Sequence, residues 1–141
     1  MTITVAGLGY VGISMAVLLS RKHRVICYDI DKKKLEYIDK RKSPIDDPEV
    51  NNFFRIKKLN LSSTSSSKIA FKNSKFVIIC TPTNYDPMTN QFDTSSIKTV
   101  ISDVLKNNKN KTTIVIKSTV PVGFTKEMRK FFSYKNIFFS P

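Results

Sequence analysis

ITVAGLGYVG, residues 3–12, joins a short apolar run to a glycine-rich turn and to the start of a helical pattern. Ile3–Ala6 is too brief for a helix and is followed at once by glycine, which predicts a buried strand. Gly7, Gly9 and Gly12 then follow with the spacing GxGxxG. In such a unit the first glycine permits a tight turn, the second lets backbone approach a pyrophosphate, and the third lets the helix lie close to the sheet. The stretch therefore predicts a dinucleotide site at the amino terminus of the helix.

A carboxylate lies at the position that this glycine fingerprint needs. Asp29 follows the second apolar run, about 20 residues after the glycines, where it can accept hydrogen bonds from the ribose hydroxyls of adenosine. Asp31 adds a second negative charge nearby. Two carboxylates would repel the 2′-phosphate of NADP, and the neighbouring cations Lys32–Lys34 offset that repulsion only in part. We therefore predict NAD as the cofactor.

The remaining apolar runs predict more strands of the same kind. They are continuously apolar, rich in β-branched residues and too short for helices, as expected of a parallel sheet covered on both faces. These runs are Val25–Tyr28, Phe76–Cys80, Thr113–Ile116 and Ile137–Phe139, with a weaker strand at Leu59–Ser63.

Helical patterns separate the predicted strands. Ile97, Val100, Ile101, Val104 and Leu105 recur with helical spacing after the capping residues Asp93–Ser95. In the first helix, the residues that share the predicted apolar face are Val11, Met15, Leu18 and Leu19. Further helices are predicted at Lys32–Lys40, Glu49–Lys57 and Thr125–Phe132.

Alternation of strands and helices predicts an α/β protein with a doubly wound, mainly parallel sheet, which is the Rossmann fold. The chain of 141 residues has the length of one domain, and we expect that domain to span residues 1–141. The serine-rich stretch Ser62–Ser67 is predicted to be a polar loop.

Bulk composition limits the classes of partner. The formal net charge of +13 could indicate a nucleic-acid or anionic-membrane partner. However, the lysines are scattered along the sequence, and no aromatic platform is interleaved with a basic stripe. The chain also has neither a basic leader nor an apolar stretch of roughly 20 residues. We therefore predict a cytoplasmic protein that binds neither nucleic acid nor membrane.

The two cysteines, Cys27 and Cys80, both lie inside apolar runs rather than in loops with the spacing of a disulfide framework or a metal site. We predict that both are reduced, buried thiols and that the chain has no metal site.

Several segments of this sequence resemble the UDP-glucose/GDP-mannose dehydrogenase family, in the same order and with similar spacing. They are VAGLGYVG at 5–12, SPI at 43–45, TPTNYD at 81–86, FDTSS at 92–96, KSTVPVG at 117–123 and FFSP at 138–141. TPTNYD and FDTSS together are most similar to the bacterial UDP-glucose 6-dehydrogenases. Where many relatives have an acidic residue, proline and glycine after the PI element, this chain has Asp47-Pro48-Glu49.

The resemblance implies an NAD-dependent oxidation of the sugar C6 alcohol of UDP-glucose to the carboxylate of UDP-glucuronate, a precursor of capsule and other surface polysaccharides. The reaction passes through a thiohemiacetal and a thioester on a cysteine and reduces two NAD molecules. Carried over by position, Thr119 also helps to place the catalytic water. The residues that the resemblance assigns to the cofactor are Gly7, Gly9, Tyr10, Val11, Gly12, Asp29, Lys34, Thr83 and Thr119.

Some of these positions also have a purely structural interpretation. The hydroxyls of Thr83 and Thr119 could cap the next turn instead of contacting a ligand. Lys34 could be a solvated member of a basic helix face, and Tyr10 and Val11 could simply seat the first helix against the sheet.

The resemblance further implies that the catalytic cysteine, the central helix and the sugar-nucleotide domain of the family lie beyond Pro141. We therefore expect residues 1–141 alone to bind NAD without catalysis, and the parent enzyme to be a homodimer. The alternatives are a stand-alone nucleotide-binding or regulatory module, a dehydrogenase of another nucleotide sugar such as GDP-mannose or a UDP-N-acetylhexosamine, and another Rossmann oxidoreductase such as a 3-hydroxy acid dehydrogenase.

Overall fold

The computed structural model describes residues 1–56 and 58–141, in which strands and helices alternate from the amino terminus. The strands are β1 (Thr2–Ala6), β2 (Arg24–Tyr28), β3 (Leu61–Thr64), β4 (Phe76–Ile79), β5 (Tyr85–Asp86), β6 (Gln91–Phe92), β7 (Thr113–Ile116) and β8 (Ile137–Phe139). The helices are α1 (Tyr10–Ser20), α2 (Lys32–Asp39), α3 (Pro48–Ile56), α4 (Ser67–Phe71), α5 (Ser95–Asn107) and α6 (Phe124–Phe131).

Six of the strands form one sheet in the order β3-β2-β1-β4-β7-β8, and every pairing in it is parallel. β1 lies at the centre, where Ile3 is opposite Val25 of β2 on one side and Phe76 of β4 on the other. The chain first winds outward from β1 to β3 and then crosses back to β4, so the winding direction reverses between β1 and β4. The predicted doubly wound α/β sheet is confirmed.

Both faces of the sheet are covered, which explains why the strands are apolar at successive positions. Ile3 and Val5 of β1 belong to the cluster beneath α1, α2 and α3. Ala6 belongs to the cluster on the opposite face, beneath α4, α5 and α6. The buried Thr4 satisfies its hydroxyl within the core through the Ala70 carbonyl and the Ser74 hydroxyl.

The predicted apolar face of α1 is wrong. Val11 and Leu18 are 52% and 54% exposed, whereas the residues that α1 buries are Gly12, Ile13, Ala16, Val17 and Ser20. Apolar residues of α1 itself point in every direction around the helix axis. The sequence therefore lacks the polar stripe that would mark the solvent face. Small residues at Gly12 and Ala16 allow the close approach to the sheet that selects the buried face. Met15 and Leu19 pack at the margin of the core.

The serine-rich stretch Ser62–Ser67 is not a loop, which corrects a second expectation. β3 continues to Thr64, and Ser66 caps α4 by accepting a hydrogen bond from the Ile69 N–H at 3.4 Å. Serine therefore serves here as a strand residue at the sheet edge and as a helix cap. The predicted strand at 59–63 is found at Leu61–Thr64, so it begins two residues later and ends one residue later.

Two short elements were absent from the sequence-based expectation. α4 is one of them, and the other is the antiparallel pair β5–β6, which forms a separate two-stranded sheet. In this hairpin the rings of Tyr85 and Phe92 lie 5.2 Å apart. The Asp86 carboxylate accepts from the Met88 N–H at 2.9 Å and the Thr89 hydroxyl at 3.0 Å, and these hydrogen bonds lower the pKa of Asp86 below its ordinary value.

The other helix predictions agree with the structure to within one or two residues. α5 buries Ile97, Val100, Ile101 and Val104 as its spacing predicted. α3 begins at Pro48, and the Asp47 carboxylate accepts from the Val50 N–H at 2.9 Å, so the departure Asp47-Pro48-Glu49 forms a capped helix start. The predicted end of this helix at Lys57 lies outside the described residues. Among the residues that the structure describes, no helix is long and apolar enough to cross a bilayer.

Candidate cofactor site

The turn between β1 and α1 has the conformation that its glycines predict. Gly7 has φ +93°, and its N–H donates to the Tyr28 carbonyl at 2.9 Å, which ties the turn to β2. A Cβ at Gly7 would lie 2.7 Å from backbone atoms of Cys80 and Thr81. A Cβ at Gly12 would lie 1.8 Å from the Gly7 carbonyl oxygen. Both glycines are therefore required by packing within the protein.

Gly9 differs from the other two glycines of the turn. It is the N-cap of α1 with an extended backbone, and a Cβ built there would have no protein atom within 4 Å. No side chain caps α1, and its first turn contains no acidic residue. The first N–H groups of a helix have no partner within the helix, so this uncapped end offers donors and a positive dipole to an anion. The open space at Gly9 is thus available to a ligand.

Asp29 is held beside this turn by backbone. Its Oδ2 accepts from the Leu8 N–H at 2.8 Å, and its Oδ1 accepts from the Asp31 N–H at 2.9 Å. Asp29 is a buried residue, 9% exposed. Because each carboxylate oxygen can accept more than one hydrogen bond, the two backbone bonds orient the group and leave capacity for hydroxyl donors.

Lys34 is close to this carboxylate. Its Nζ lies 3.8 Å from Asp29 Oδ2, so the lysine contacts the site rather than only solvent. Asp31 caps α2 by accepting from the Lys33 N–H at 3.0 Å. Two carboxylates and one ammonium group therefore border the place predicted for the adenosine ribose.

These groups line an open cleft of about 590 Å³ at the carboxyl ends of β1 and β4, where the winding of the sheet reverses. Open α/β sheets bind ligands at this point, and the volume is in the range of small-molecule sites. The lining residues predicted from the sequence are Gly7, Gly9, Asp29 and Lys34. The others are Leu8, Tyr28, Ile30, Asp31, Cys80, Thr81, Pro82, Ser95, Ser96, Thr99 and Val100.

The far wall of the cleft consists of the first turns of α5, which sequence reasoning did not assign to the site. Ser95, Ser96, Thr99 and Val100 face the cleft because α5 begins at the carboxyl edge of the sheet, as every crossover helix in such a sheet does. The capping sequence of Asp93–Ser95 was the available signal, since it located the beginning of this helix.

Thr83 and Thr119 lie together but outside the lining of the cleft. The Thr83 hydroxyl donates to the Thr119 carbonyl at 2.8 Å, which links the two loops that follow β4 and β7. The Ser118 hydroxyl donates to the Thr81 carbonyl at 2.6 Å and strengthens the same link. The Thr83 hydroxyl therefore bonds to the other loop and not to the turn that follows it. The Thr119 side chain is exposed.

The two remaining positions of the resemblance lie on the first turn of α1. Tyr10 and Val11 are 63% and 52% exposed and are not part of the cleft lining. Among the described residues no group of three or more His, Cys, Asp or Glu side chains could hold a metal ion.

Burial keeps both thiols in the protonated, unreactive form near neutral pH. Burial raises the pKa of Cys27 to about 12, and the Asp39 charge adds to the effect. Cys80 lines the cleft and is only partly exposed; burial raises its pKa to about 11, against a smaller lowering by Lys117. The prediction of two buried thiols holds for Cys27, whereas Cys80 reaches the cleft surface.

We expect iodoacetamide to alkylate Cys80 of the folded protein slowly near neutral pH. A pKa of about 11 in place of 9.0 leaves roughly a hundredfold less thiolate, which is the reacting species. Because folding favours the protonated thiol, the associated stability is present below pH 9.0 and is lost as the pH rises through about 11. Mass spectrometry of an alkylation time course, in buffer and in urea, measures the ratio. Equal rates in the two conditions would contradict this assignment.

The fold and the cleft together define a dinucleotide-binding domain of the Rossmann class. The sequence profile described as "UDP-glucose/GDP-mannose dehydrogenase family, NAD binding domain" matches residues 1–137. This chain belongs to that family and corresponds to its NAD-binding domain, so the predicted family and the predicted cofactor are confirmed.

The most similar curated relatives include two bacterial enzymes. The chain is 47% identical over 141 residues to the UDP-glucose 6-dehydrogenase of Streptococcus pneumoniae, and 43% identical over 143 residues to that of Campylobacter jejuni. Each alignment covers 100% of this chain and 36% of the relative, so the chain spans about a third of the length of these enzymes.

Solved structures agree with the fold. The GDP-mannose dehydrogenase of Pseudomonas aeruginosa superposes with a TM-score of 0.82 at 28% identity, over 99% of this chain and 35% of that one. A UDP-glucose dehydrogenase from Pyrobaculum islandicum has the same fold, with a TM-score of 0.82 at 24% identity, over 99% of this chain and 34% of that one.

Proposed function

We propose that this chain is the cofactor domain of a UDP-glucose 6-dehydrogenase, which oxidises the C6 alcohol of UDP-glucose to the carboxylate of UDP-glucuronate. The substrate assignment is supported by the 47% and 43% identity to two enzymes of that name. NAD, when bound, is the hydride acceptor, and two molecules are needed to take an alcohol to a carboxylate. The observation that carries the cofactor site is the Asp29 carboxylate, held beside open backbone at Gly9.

Each part of the cleft has a role in holding the dinucleotide. The uncapped first turn of α1, entered at Gly9, binds the pyrophosphate through backbone N–H groups. Asp29 accepts hydrogen bonds from the adenosine ribose hydroxyls, and Lys34 keeps the local charge from becoming strongly negative. Gly7 and Gly12 contribute by shaping the turn.

The far half of the cofactor lies along the loops after β4 and β7. Thr83 and Thr119, joined by their hydrogen bond, form one edge that would hold the nicotinamide ribose. Thr119 is exposed at this edge and helps to place the catalytic water. Tyr10 and Val11, exposed on the first turn of α1, would contact the cofactor there.

We expect NAD, but neither NADP nor UDP-glucose, to bind the purified chain in calorimetric titration, and Asp29→Ala to weaken NAD binding at least about thirtyfold. Hydrogen bonds to a charged group contribute about 1.5–3 kcal/mol each, and the substitution removes the acceptor of both ribose hydroxyls. The exposed Asp46 is the matched control. Asp46→Ala changes the net charge by the same amount, but at a residue that does not line the cleft. Circular dichroism verifies that both variants fold.

The outcomes of this titration separate the alternatives. Net charge cannot explain a weakening, since the loss of a carboxylate makes the chain more positive and NAD is an anion. Equal weakening by Asp46→Ala would mean that the effect is not specific to the cleft, and it would contradict the role of Asp29. Binding of UDP-glucose in place of NAD would show that the cleft has been assigned to the wrong ligand.

A chimera tests the dehydrogenase role. Residues 1–141 would replace the matching third of the S. pneumoniae enzyme, and NADH formation with UDP-glucose would be followed spectrophotometrically. Two NADH per sugar are expected. A folded chimera that binds NAD but forms no NADH would favour a stand-alone nucleotide-binding module instead.

A further inference from the structure

The amino-terminal edge of the sheet, opposite to the cofactor cleft, brings together segments that are far apart in the sequence. The Lys75 N–H donates to the Thr2 carbonyl at 2.9 Å, and the Lys75 carbonyl accepts from the Thr113 N–H at 3.0 Å. The Ile114 N–H donates to the Asn136 carbonyl at 2.9 Å on the next strand. We call the exposed cations of these segments the basic edge, which comprises Arg21, Lys22, Arg24, Lys58, Lys72, Lys75, Lys109, Lys111 and Lys135.

No acidic side chain accompanies these cations. The segments that form this edge, residues 20–24, 58–60, 72–75, 108–112 and 133–136, contain neither Asp nor Glu. The ion pairs found within the described part of the chain are Lys34–Asp29 and Lys40–Glu36, and neither involves the basic edge. The charge of +13 is therefore unevenly distributed, with an uncompensated positive end opposite to the cleft.

The chemistry of the basic edge suits a planar anionic surface. Six strands at about 4.8 Å spacing make an edge roughly 24 Å wide, so an extended anionic surface can meet several of its cations together. Seven of its nine cations are lysines, whose ammonium groups act as point charges, and two are the arginines that nucleic-acid recognition favours. Tyr134, which lies within these segments, is half-buried and bonds through its hydroxyl to Thr112, so its ring offers no stacking platform.

An exposed apolar side chain precedes one of these segments in the sequence. Phe131, the last residue of α6, is 73% exposed just before the segment that contains Lys135. A phenyl group among lysines is typical of surfaces that lie in the headgroup region of a bilayer.

We propose that the basic edge docks this chain on a membrane surface rich in anionic phospholipid headgroups. The proposal replaces the sequence-based expectation of no membrane partner, which rested on lysines that are scattered along the chain but are gathered at one edge by the fold. The cofactor cleft, at the opposite edge of the sheet, then faces the solution and stays open to NAD. The docking is electrostatic and reversible, and it is independent of the proposed dehydrogenase function.

The test is sedimentation of the chain with vesicles of phosphatidylcholine, alone or with about a third phosphatidylglycerol. Binding is expected only with phosphatidylglycerol, and raised salt should release it. Lys75→Glu with Lys111→Glu should weaken it at least about thirtyfold, because each cation near the surface contributes about one kcal/mol. The matched control is Lys98→Glu with Lys126→Glu, which gives the same net charge. These two exposed lysines lie near the amino ends of α5 and α6, away from the basic edge. The control should bind like the wild type.

Three results would overturn the proposal. They are absence of binding to phosphatidylglycerol vesicles, equal weakening in the control, and displacement of the chain from vesicles by a double-stranded DNA fragment at equal phosphate concentration. The last result would identify nucleic acid as the partner. Titration with NAD gives an independent readout, and the variant with Lys75→Glu and Lys111→Glu should bind NAD with the wild-type affinity.

Discussion

Gly12→Ala is expected to destabilise the folded chain by at least about 3 kcal/mol, a large fraction of the stability of a domain this size. The added Cβ would lie 1.8 Å from the Gly7 carbonyl oxygen, and it would also press on the Cys80 side chain at 3.3 Å. The first of these neighbours is backbone of a tight turn, so it cannot move aside without shifting α1 away from the sheet. Urea denaturation monitored by circular dichroism measures the loss.

Ser14→Ala is the control for this experiment, because it places alanine in the same helix at a half-buried position. Alanine is the better helix former, so the midpoint should stay the same or rise slightly. A Gly12→Ala midpoint within the error of the wild type would show that the turn relaxes freely and that close packing of α1 does not depend on this glycine.

Gly9→Ala is expected to show the opposite behaviour, with a nearly unchanged fold and at least about a hundredfold loss of NAD affinity. The new Cβ meets no protein atom within 4 Å, and the extended backbone of Gly9 suits any residue, so the free energy of unfolding should change by less than about 1 kcal/mol. The methyl group would occupy the space where backbone meets the pyrophosphate. Calorimetric titration with NAD and urea denaturation measure the two effects on one sample.

Comparison of the two alanine variants makes this test sharp. Both add one methyl group to the same turn, but one methyl group is directed into backbone and the other into the cleft. Wild-type NAD affinity in a folded Gly9→Ala variant would mean that the phosphates do not approach α1 here, and the proposed orientation of the cofactor would be wrong.

Local sequence was sufficient for most of the fold. The strands Ile3–Ala6 and Thr113–Ile116 were predictable because burial on both faces leaves a continuous apolar run. The helix at Ser95–Asn107 was predictable because its solvent face is polar. The buried face of α1 was not predictable, since Val11 and Leu18 are as apolar as the residues that α1 buries.

The cofactor site divides in a similar way. Gly7, Gly9 and Asp29 could be assigned in advance because they belong to one strand-helix-strand unit, whose geometry is almost independent of the rest of the chain. Ser96 and Thr99 could not, because they reach the cleft only after the chain has crossed the sheet and begun a second set of strands.

The sequence by itself thus determined the alternation of strands and helices, the glycine turn, and the carboxylate that accompanies it, because these features depend on neighbours within about 30 residues. The tertiary structure decided which face of α1 is buried, which residues complete the cleft, and where the positive charge gathers. Lys22, Lys75 and Lys111 are scattered along the chain, but parallel strands place their amino ends at one edge. Because the crossover connections return the chain to this edge before each strand, charges that are far apart in the sequence lie together in the fold.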